Sequence, residues 1–261
     1  LEAHRKGHAS HEAAEVIVAV VDDCGRIVDR GHRDDVHLVA QVITAPRHVA
    51  AGYVFEARRI GDAGGTATVV ELDVTDQAAV DALAAEVASC DVLVNNAGGA
   101  WGMESVEDAV EDKWRWMYEV NVLGTLRVTR ALLPALKAAK GAVITIGSIA
   151  ARQNYPGGAG YNAAKHGERA LTEVLRQEIA GDGVRVTEID PGRVHTDFSL
   201  VRFDGDADKA ERVYQGVESL TAEDVAEVIT FVATRPAHVN IDFLQLTPID
   251  QAGNAAPKPV K

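Results

Sequence analysis

A tyrosine, a lysine and a serine occur at a spacing that suits proton transfer at an alcohol or carbonyl. Tyr161 and Lys165 are four residues apart, so a helix through this segment places both side chains on one face. A nearby ammonium favours the phenolate, and we therefore expect the pKa of Tyr161 to fall from about 10 toward neutral pH. Ser148, thirteen residues upstream, is available to hold the same substrate oxygen by a hydrogen bond. These residue types predict acid–base chemistry at a C–O group.

The elements that must position these side chains alternate along the chain. Apolar strand-like runs are followed by helical patterns, which predicts a parallel sheet covered by helices on both faces. The predicted strands are residues 16–21, 38–44, 67–72, 142–147 and 184–189. The predicted helices are 75–88, 106–136 and 160–180. Thr75 or Asp76 is expected to cap the first helix, and Tyr161 and Lys165 lie in the last.

Composition narrows the class of protein. With 261 residues the chain is long enough for one α/β domain with a substantial core. Its net charge of −13 argues against nucleic acid or an anionic membrane as partner, and no apolar run reaches the roughly 20 residues of a membrane span. The two cysteines form no motif, so a cytoplasmic protein is expected. His195 and His238 have no second ligand at metal spacing, and no metal is expected.

Further motifs surround the tyrosine. Asn95-Asn96-Ala97-Gly98 follows an apolar run, Asn121 lies in Val120-Asn121-Val122-Leu123-Gly124, and Pro191-Gly192-Arg193-Val194-His195-Thr196 follows the strand 184–189. With Ser148, Tyr161 and Lys165, they resemble the short-chain dehydrogenase/reductase family over residues 66–250. The resemblance implies a single doubly wound, Rossmann-like α/β domain in residues 1–252, with a frayed tail from 253 to 261.

The resemblance also implies roles for individual residues. Tyr161 would be the general acid/base, Lys165 would lower its pKa and hold the nicotinamide ribose, Ser148 would polarise the substrate oxygen, and Asn121 would order a water in the proton path. The other implied cofactor contacts are Asp73, Val74, Asn96, Ala97, Gly98, Pro191, Gly192, Val194 and Thr196. For Asp73 the alternative is a cap on the next helix. For Thr196 it is a cap on the helix that follows.

The C-terminal third resembles one branch of the family. Val201-Arg202-Phe203 and the segments 209–211 and 236–241 are similar to serine 3-dehydrogenases and NADP-dependent 3-hydroxy acid dehydrogenases. This implies NADP as cofactor, with NAD as the other candidate, a small 3-hydroxy acid as substrate, and a homotetramer or homodimer. Residues 199–219 are interpreted as a substrate lid. In it, the guanidinium of Arg202 suits a substrate carboxylate, and the alternative is a solvated lid charge.

The N-terminal segment departs from the family pattern. The family opens with a strand and a glycine-rich loop, in which small residues let backbone N–H groups approach the cofactor diphosphate. Counting back from residues 72–74 places that loop at 21–28, where Gly25 is the one glycine. The carboxylates of Asp22 and Asp23 would repel a diphosphate bound at this loop. Arg47, near the end of the second predicted strand, would favour NADP.

Three interpretations of this departure remain open. The loop has diverged while cofactor still binds, for example through Arg26 or Arg30; or the chain is a relative without cofactor that acts as a binding or assembly module. In the third, the first 60 or so residues come from a frame-shifted reading of a family gene. The chain begins at Leu1, six of its nine histidines lie in the first 48 residues, and family-like patterning returns near Gly65.

Overall fold

Seven parallel strands form one sheet. The computed structural model describes residues 15–21, 36–43, 62 and 66–253. The strand order in the sheet is β3-β2-β1-β4-β5-β6-β7, and every pairing is parallel. The strands are β1 Glu15–Val21, β2 Val36–Ile43, β3 Thr66–Leu72, β4 Val92–Asn96, β5 Ala142–Ile146, β6 Arg185–Pro191 and β7 Phe243–Leu246.

Helices follow most of the described strands. They are α1 Gln77–Glu86, α2 Glu111–Tyr118, α3 Thr125–Ala139, α4 Ala159–Glu178, α5 Phe198–Arg202, α6 Ala207–Arg212 and α7 Ala222–Ala233. A π-helical turn, Glu119–Gly124, joins α2 to α3, and a 3₁₀ turn, Ile149–Ala151, follows β5.

At β4 and β5, the sheet is buried on both faces, which explains the nearly continuous apolar sequence of these two strands. On one face, Leu93 of β4 and Val143 of β5 pack in a cluster with Leu132 of α3. On the other face, Ile144 of β5 packs in a second cluster with Ile229 of α7. Adjacent residues of one strand therefore enter different cores, as the pleat requires. The predicted doubly wound parallel sheet is confirmed.

The predicted strands agree with the structure to within two residues at each end. The first predicted helix is shorter than expected: α1 covers Gln77–Glu86, and Asp76 is its N-cap, accepting hydrogen bonds from the N–H groups of Ala78 and Ala79. The predicted helix 160–180 corresponds to α4.

The prediction that residues 106–136 form one helix was wrong at its beginning. The helical segment begins at Glu111, because Val110 is extended (φ −101°, ψ 107°). Before it, the hydroxyl of Ser105 accepts a hydrogen bond from the N–H of Asp108 at 3.3 Å and donates to its carboxylate at 2.8 Å. Such local side-chain bonds compete with helix formation and favour a turn.

From β1 the chain proceeds through β2 and β3 to one edge of the sheet, and from β4 it proceeds through β5, β6 and β7 to the other edge. The strand order therefore reverses between β1 and β4. In open α/β sheets, the crevice at the carboxyl ends of strands beside such a reversal is the usual ligand site.

β1 ends at Val21, as predicted from the sequence. Asp22, Asp23, Arg26, Arg30 and Arg47 lie outside the described residues, as does most of the predicted tail. No helix in the described part of the chain is long and apolar enough to cross a membrane.

Candidate active site

A cavity of about 400 Å³ opens at the carboxyl ends of β4, β5 and β6. It brings together most of the residues that sequence motifs singled out. Those that line it are Asn96, Gly98, Ser148, Tyr161, Lys165, Pro191, Gly192, Val194, Thr196 and Arg202. In the segment 199–219, which is interpreted as a lid, Ser199 of α5 and Tyr214, which follows α6, line the same cavity, as does the adjoining Phe198. That this segment acts as a lid remains a prediction.

Lys165 is anchored at the end of β5. Its ammonium donates to the carbonyl oxygen of Ile146 at 3.0 Å and to Oε2 of Glu168 at 2.7 Å. Tyr161 lies one turn earlier on α4, and both side chains are buried. A buried ammonium requires hydrogen-bonding partners, and here it has a carboxyl group and a backbone carbonyl oxygen. Burial raises the pKa of Glu168 above its ordinary value, and Lys165 lowers it by less.

The pKa of Tyr161 moves in the direction opposite to the expected one. Burial raises the pKa of this phenol above its ordinary value, while the ammonium of Lys165 and the hydrogen bond with the Ser148 hydroxyl lower it by less. Phe198 of the lid packs against the Tyr161 ring, with centroids 5.7 Å apart. The prediction of a lowered pKa was wrong because the spacing of Tyr161 and Lys165 along a helix does not show how completely the folded protein removes water from the phenol.

Ser148 has a structural role and lies at the cavity, while its predicted contact with a substrate oxygen remains a prediction. Its hydroxyl hydrogen-bonds the Tyr161 phenol and also accepts from the N–H of Ala150 at 3.1 Å, which caps the 3₁₀ turn. Its own N–H donates to Oδ1 of Asp190 on β6 at 2.9 Å. The serine is therefore held from both sides, with its hydroxyl at the cavity.

Asn121 lies behind the cavity wall rather than in it. Its side chain is fully buried in the π-helical turn, where Nδ2 donates to the carbonyl oxygens of Gly99 at 2.9 Å and Met117 at 2.6 Å. Oδ1 accepts from the N–H of Gly99 at 3.2 Å. A Cβ at Gly98 would lie 2.4 Å from that Oδ1, so the close approach requires glycine. Asn121 thus holds the loop that follows β4, and π-helical turns often occur at functional sites.

Three predicted cofactor residues do not line this cavity. Oδ1 of Asp73 accepts from the N–H and the hydroxyl of Thr75, at 2.8 and 2.7 Å, so its carboxylate makes the local bonds of a turn before α1. Val74 and Ala97 belong to the core cluster between the sheet and α3. Their contact with a cofactor remains a prediction.

Thr196 shows the capping contact that was its alternative role. Its Oγ1 accepts from the N–H of Phe198, the first residue of α5, at 3.3 Å. The side chain also lines the cavity. Both roles are therefore compatible with the structure.

Arg202 is buried, so its interpretation as a solvated lid charge was wrong. The residue is 9 % exposed, and its Nε donates to the carbonyl oxygen of Gly102 at 3.1 Å. Nη2 is buried and has no hydrogen-bond partner among the described residues. The guanidinium carbon lies 5.8 Å from the ring centroid of Tyr161 and 5.5 Å from that of Tyr155. An unpaired donor in this position is costly unless a ligand supplies an acceptor.

Sequence reasoning missed a group of buried charges below Ser148. Glu188 and Asp190 lie on β6, and Arg152 joins them: its Nη2 donates to Glu188 at 2.6 Å and its Nε to Asp190 at 2.8 Å. The guanidinium stacks on Phe243 of β7 at 3.6 Å from the ring centroid. A signal was available, because two acids at alternate positions of one strand share a face of the sheet, and acids are rarely buried unless they are paired.

The fold and the cavity define an oxidoreductase of the Rossmann-like class, and comparison with known proteins identifies the family. The sequence profile of the short chain dehydrogenase family matches residues 37–206. The chain belongs to this family, and the predicted membership is confirmed.

The relatives also agree with the predicted branch. An uncharacterized oxidoreductase of Mycobacterium tuberculosis is 58% identical over 190 residues, which are 72% of this chain and 75% of the relative. The NADP-dependent 3-hydroxy acid dehydrogenase of Escherichia coli K12 is 43% identical over 195 residues, 72% of this chain and 79% of that protein. Among solved structures, the closed form of a serine dehydrogenase complexed with NADP+ is 34% identical. It superposes with a TM-score of 0.78, covering 94% of this chain and 100% of the other.

The buried acids predict a pH-dependent stability. Burial, followed by the neighbouring Asp190, raises the pKa of Glu188 from 4.5 to about 8. The folded protein then keeps a proton that the unfolded chain has already lost, so the stability from this group is complete below pH 4.5 and declines as pH rises toward 8. Glu188→Gln removes the titration, and the free energy of unfolding of the wild type should decline relative to that of the variant across this interval.

Urea unfolding at a series of pH values measures this difference. Glu178→Gln, an exposed carboxylate at the end of α4, is the matched control and should give a curve parallel to the wild type. Parallel curves for Glu188→Gln and wild type would contradict the raised pKa.

Proposed function

We propose that this protein is an oxidoreductase that transfers a hydride between NADP and the 3-position of a 3-hydroxy acid or hydroxy amino acid. The observation that carries the proposal is the buried Nη2 of Arg202, which lacks a hydrogen-bond partner in the described part of the chain and lies beside the phenol of Tyr161. A short acid can reach both groups with its carboxylate and its oxygen at C3. The named relatives act on such acids or on serine.

The cavity fits the nicotinamide half of the cofactor. It lies where ligands bind doubly wound sheets. Arg193 lines it, and the buried Nη1 of this residue has no hydrogen-bond partner among the described residues. When bound, NADP supplies or accepts the hydride. The residues that would hold it are Asn96, Gly98, Lys165, Pro191, Gly192, Val194 and Thr196.

The protein's own residues then perform the proton chemistry. In reduction, Tyr161 donates its proton to the carbonyl oxygen, and its raised pKa keeps the phenol protonated at neutral pH. In oxidation, the phenolate accepts the hydroxyl proton. Ser148 holds the reacting oxygen, and Arg202 holds the carboxylate by a charge-assisted hydrogen bond. The lid excludes water from this exchange.

We also propose a homodimer or homotetramer. Aromatic and aliphatic side chains are exposed on the outer faces of α2 and α4, among them Trp114, Tyr118 and Val174. Such exposed apolar groups on adjoining helices are typical of subunit interfaces.

The alternative is a relative without cofactor that keeps the fold as an assembly module. Asp22 and Asp23 directly follow the last residue of β1, and this observation favours it. Titration with NADPH and then NADH, followed by nicotinamide and tryptophan fluorescence, separates the two functions. We expect micromolar binding of NADPH and weaker binding of NADH. An absence of binding at millimolar NADPH would support the alternative.

Replacement of the phenol tests its proposed role. Tyr161→Phe removes the proton donor but keeps the ring that packs against Phe198. We expect kcat to fall by about 10²- to 10⁴-fold, with the Kd for NADPH nearly unchanged. Tyr118→Phe, at an exposed position on α2, is the control and should retain full activity. Equal kcat values for Tyr161→Phe and wild type would show that another group transfers the proton.

Replacement of the guanidinium tests the substrate class. Arg202→Met should cost about 1.5–3 kcal/mol, or roughly 10- to 150-fold in kcat/KM, for serine and 3-hydroxypropionate, because a hydrogen bond to a charged group is lost. The value for propane-1,3-diol, which lacks the carboxylate, should change little. Arg212→Met, an exposed arginine of the same lid, is the control. An equal loss for acid and diol would show that Arg202 only supports the lid.

A further inference from the structure

The carboxylate of Asp190 binds both ends of a short segment of chain at the cavity. Asp190 lies on β6 and is fully buried. Its Oδ1 accepts from the backbone N–H of Ser148 at 2.9 Å, and its Oδ2 accepts from Nε of Arg152 at 2.8 Å. Ser148 and Arg152 flank the 3₁₀ turn Ile149–Ala151. One side chain of β6 therefore holds this segment where it begins and where it ends.

The contact with Ser148 begins where the pairing of β5 with β6 ends. The last paired residues are Ile146 and Ile189, and the N–H of Gly147 donates to the carbonyl oxygen of Ile189 at 2.8 Å. The next N–H along the chain, that of Ser148, donates to the side chain of Asp190. Asp190 thus extends the attachment of β5 to β6 as far as the serine.

The carboxylate of Asp190 is itself confined. A Cβ at Gly147 would lie 2.1 Å from Oδ1 of Asp190 and 3.0 Å from Oε1 of Glu188, so the two acids fill the space beside this glycine. On the other side, Nη2 of Arg152 donates to Oε2 of Glu188 at 2.6 Å, and its guanidinium carbon lies 3.6 Å from the ring centroid of Phe243. Asp190 is therefore held between the backbone that follows β5 and a guanidinium with partners of its own.

The place of the Ser148 hydroxyl depends on this backbone. Ser148 is extended (φ −170°, ψ 154°), and its Oγ accepts from the N–H of Ala150 at 3.1 Å. The same hydroxyl hydrogen-bonds the Tyr161 phenol, and Ser148 lines the cavity. Asp190 does not line the cavity. An effect of Asp190 on the reaction is therefore expected to act through Ser148.

We propose that Asp190 is a positioning residue for Ser148: its carboxylate, held by Arg152, fixes the serine backbone and thereby directs the hydroxyl to the reacting oxygen. The inference rests on the proposed role of Ser148, and it deepens that role by naming the group that sets the position of the serine. A misplacement of about 1 Å, caused by a residue away from the chemistry, can lower a rate by about 10²-fold. Asp190 can therefore affect kcat without touching the substrate.

A double-mutant cycle with Asp190→Ala and Ser148→Ala tests the proposal. Alanine at position 190 removes both acceptors, while Arg152 keeps Glu188 as a partner. In the protein that contains Ser148, we expect kcat to fall by about 10- to 100-fold. In Ser148→Ala protein, the same replacement should change kcat by less than about twofold, because the hydroxyl that it would misplace is absent. A residue that only supports the fold would lower kcat equally in both backgrounds, and that result would overturn the proposal.

Asp190→Asn provides rescue by a conservative variant, and it replaces Asp190→Ala in the cycle if the latter does not fold. The amide oxygen can accept from the N–H of Ser148, but the amide NH₂ group cannot accept from Arg152. The kcat of Asp190→Asn should therefore lie between the values for wild type and Asp190→Ala. Asp182→Asn, at an exposed ion pair with Lys137, is the control and should keep the wild-type kcat. Wild-type kcat in every folded variant at position 190 would overturn the proposal.

Hydrogen exchange of the Ser148 N–H gives a readout without substrate or cofactor. Measured by NMR, this amide should exchange on the order of tenfold faster in the variants at position 190 than in wild type. The amide of Leu93, in the paired strand β4, should exchange at the wild-type rate. Equal acceleration at both amides would indicate a general loss of stability and would overturn the proposal.

Failure of this inference and failure of the proposed function are distinguishable. If the wild type oxidises propane-1,3-diol but neither serine nor 3-hydroxypropionate, the proposed substrate class is wrong, and the cycle is measured with the diol. If it turns over none of the three, the proposed function is wrong, and the Ser148 amide decides: an unchanged exchange rate would overturn the inference, and a faster one would support it. Turnover of the acids with equal losses in both backgrounds would overturn the inference alone.

Discussion

The burial of one ammonium group determines how the site is built. Lys165 is buried at the end of β5, and an ammonium in that environment requires hydrogen-bonding partners. The carbonyl oxygen of Ile146 and the carboxylate of Glu168 provide them. This requirement fixes the rotation of α4 against the sheet, and with it the position of Tyr161 one turn away.

Charges of both signs surround this lysine in a particular arrangement. Three buried carboxyls lie on its sheet side, on α4 and β6, with Arg152 joining two of them. On the cavity side, the guanidinium of Arg202 faces the phenol. The three carboxyl groups bind Lys165, Arg152 and the backbone N–H of Ser148. Arg202, at the cavity, keeps one N–H group, Nη2, without a partner among the described residues. This arrangement is the basis of the proposal that the substrate carries a carboxylate.

The lid contributes as much to the site as the sheet does. Phe198 covers Tyr161, and the carbonyl oxygen of Gly102 holds Arg202 over the cavity. The indole N–H of Trp101 donates to Asp204 at 2.8 Å, a second link between the lid and the loop that follows β4. Burial raises the pKa of the Tyr161 phenol above its ordinary value, and Phe198 is one of the side chains that cover its ring.

Particular elements show how far sequence reasoning extends. The strands were predictable because buried parallel strands are short apolar runs bounded by turns, and α4 because its apolar residues recur at helical spacing. The beginning of α2 was not, since Ser105 and Asp108 make local bonds that no periodicity reveals. The role of Asn121 in holding the Gly98–Gly99 backbone, and the burial of Arg202, depend on segments distant in the chain.

The sequence by itself determined the family, the sheet of parallel strands and the residues that meet at its carboxyl edge, because short-range spacing and motif identity encode them. The tertiary structure decided the charge state of the site. Whether a tyrosine beside a lysine becomes a better acid or a worse one depends on how much water remains and on which distant carboxylates approach. Here burial raises the pKa of Tyr161 by more than Lys165 lowers it, and burial arises from contacts between helices and strands that linear spacing does not specify.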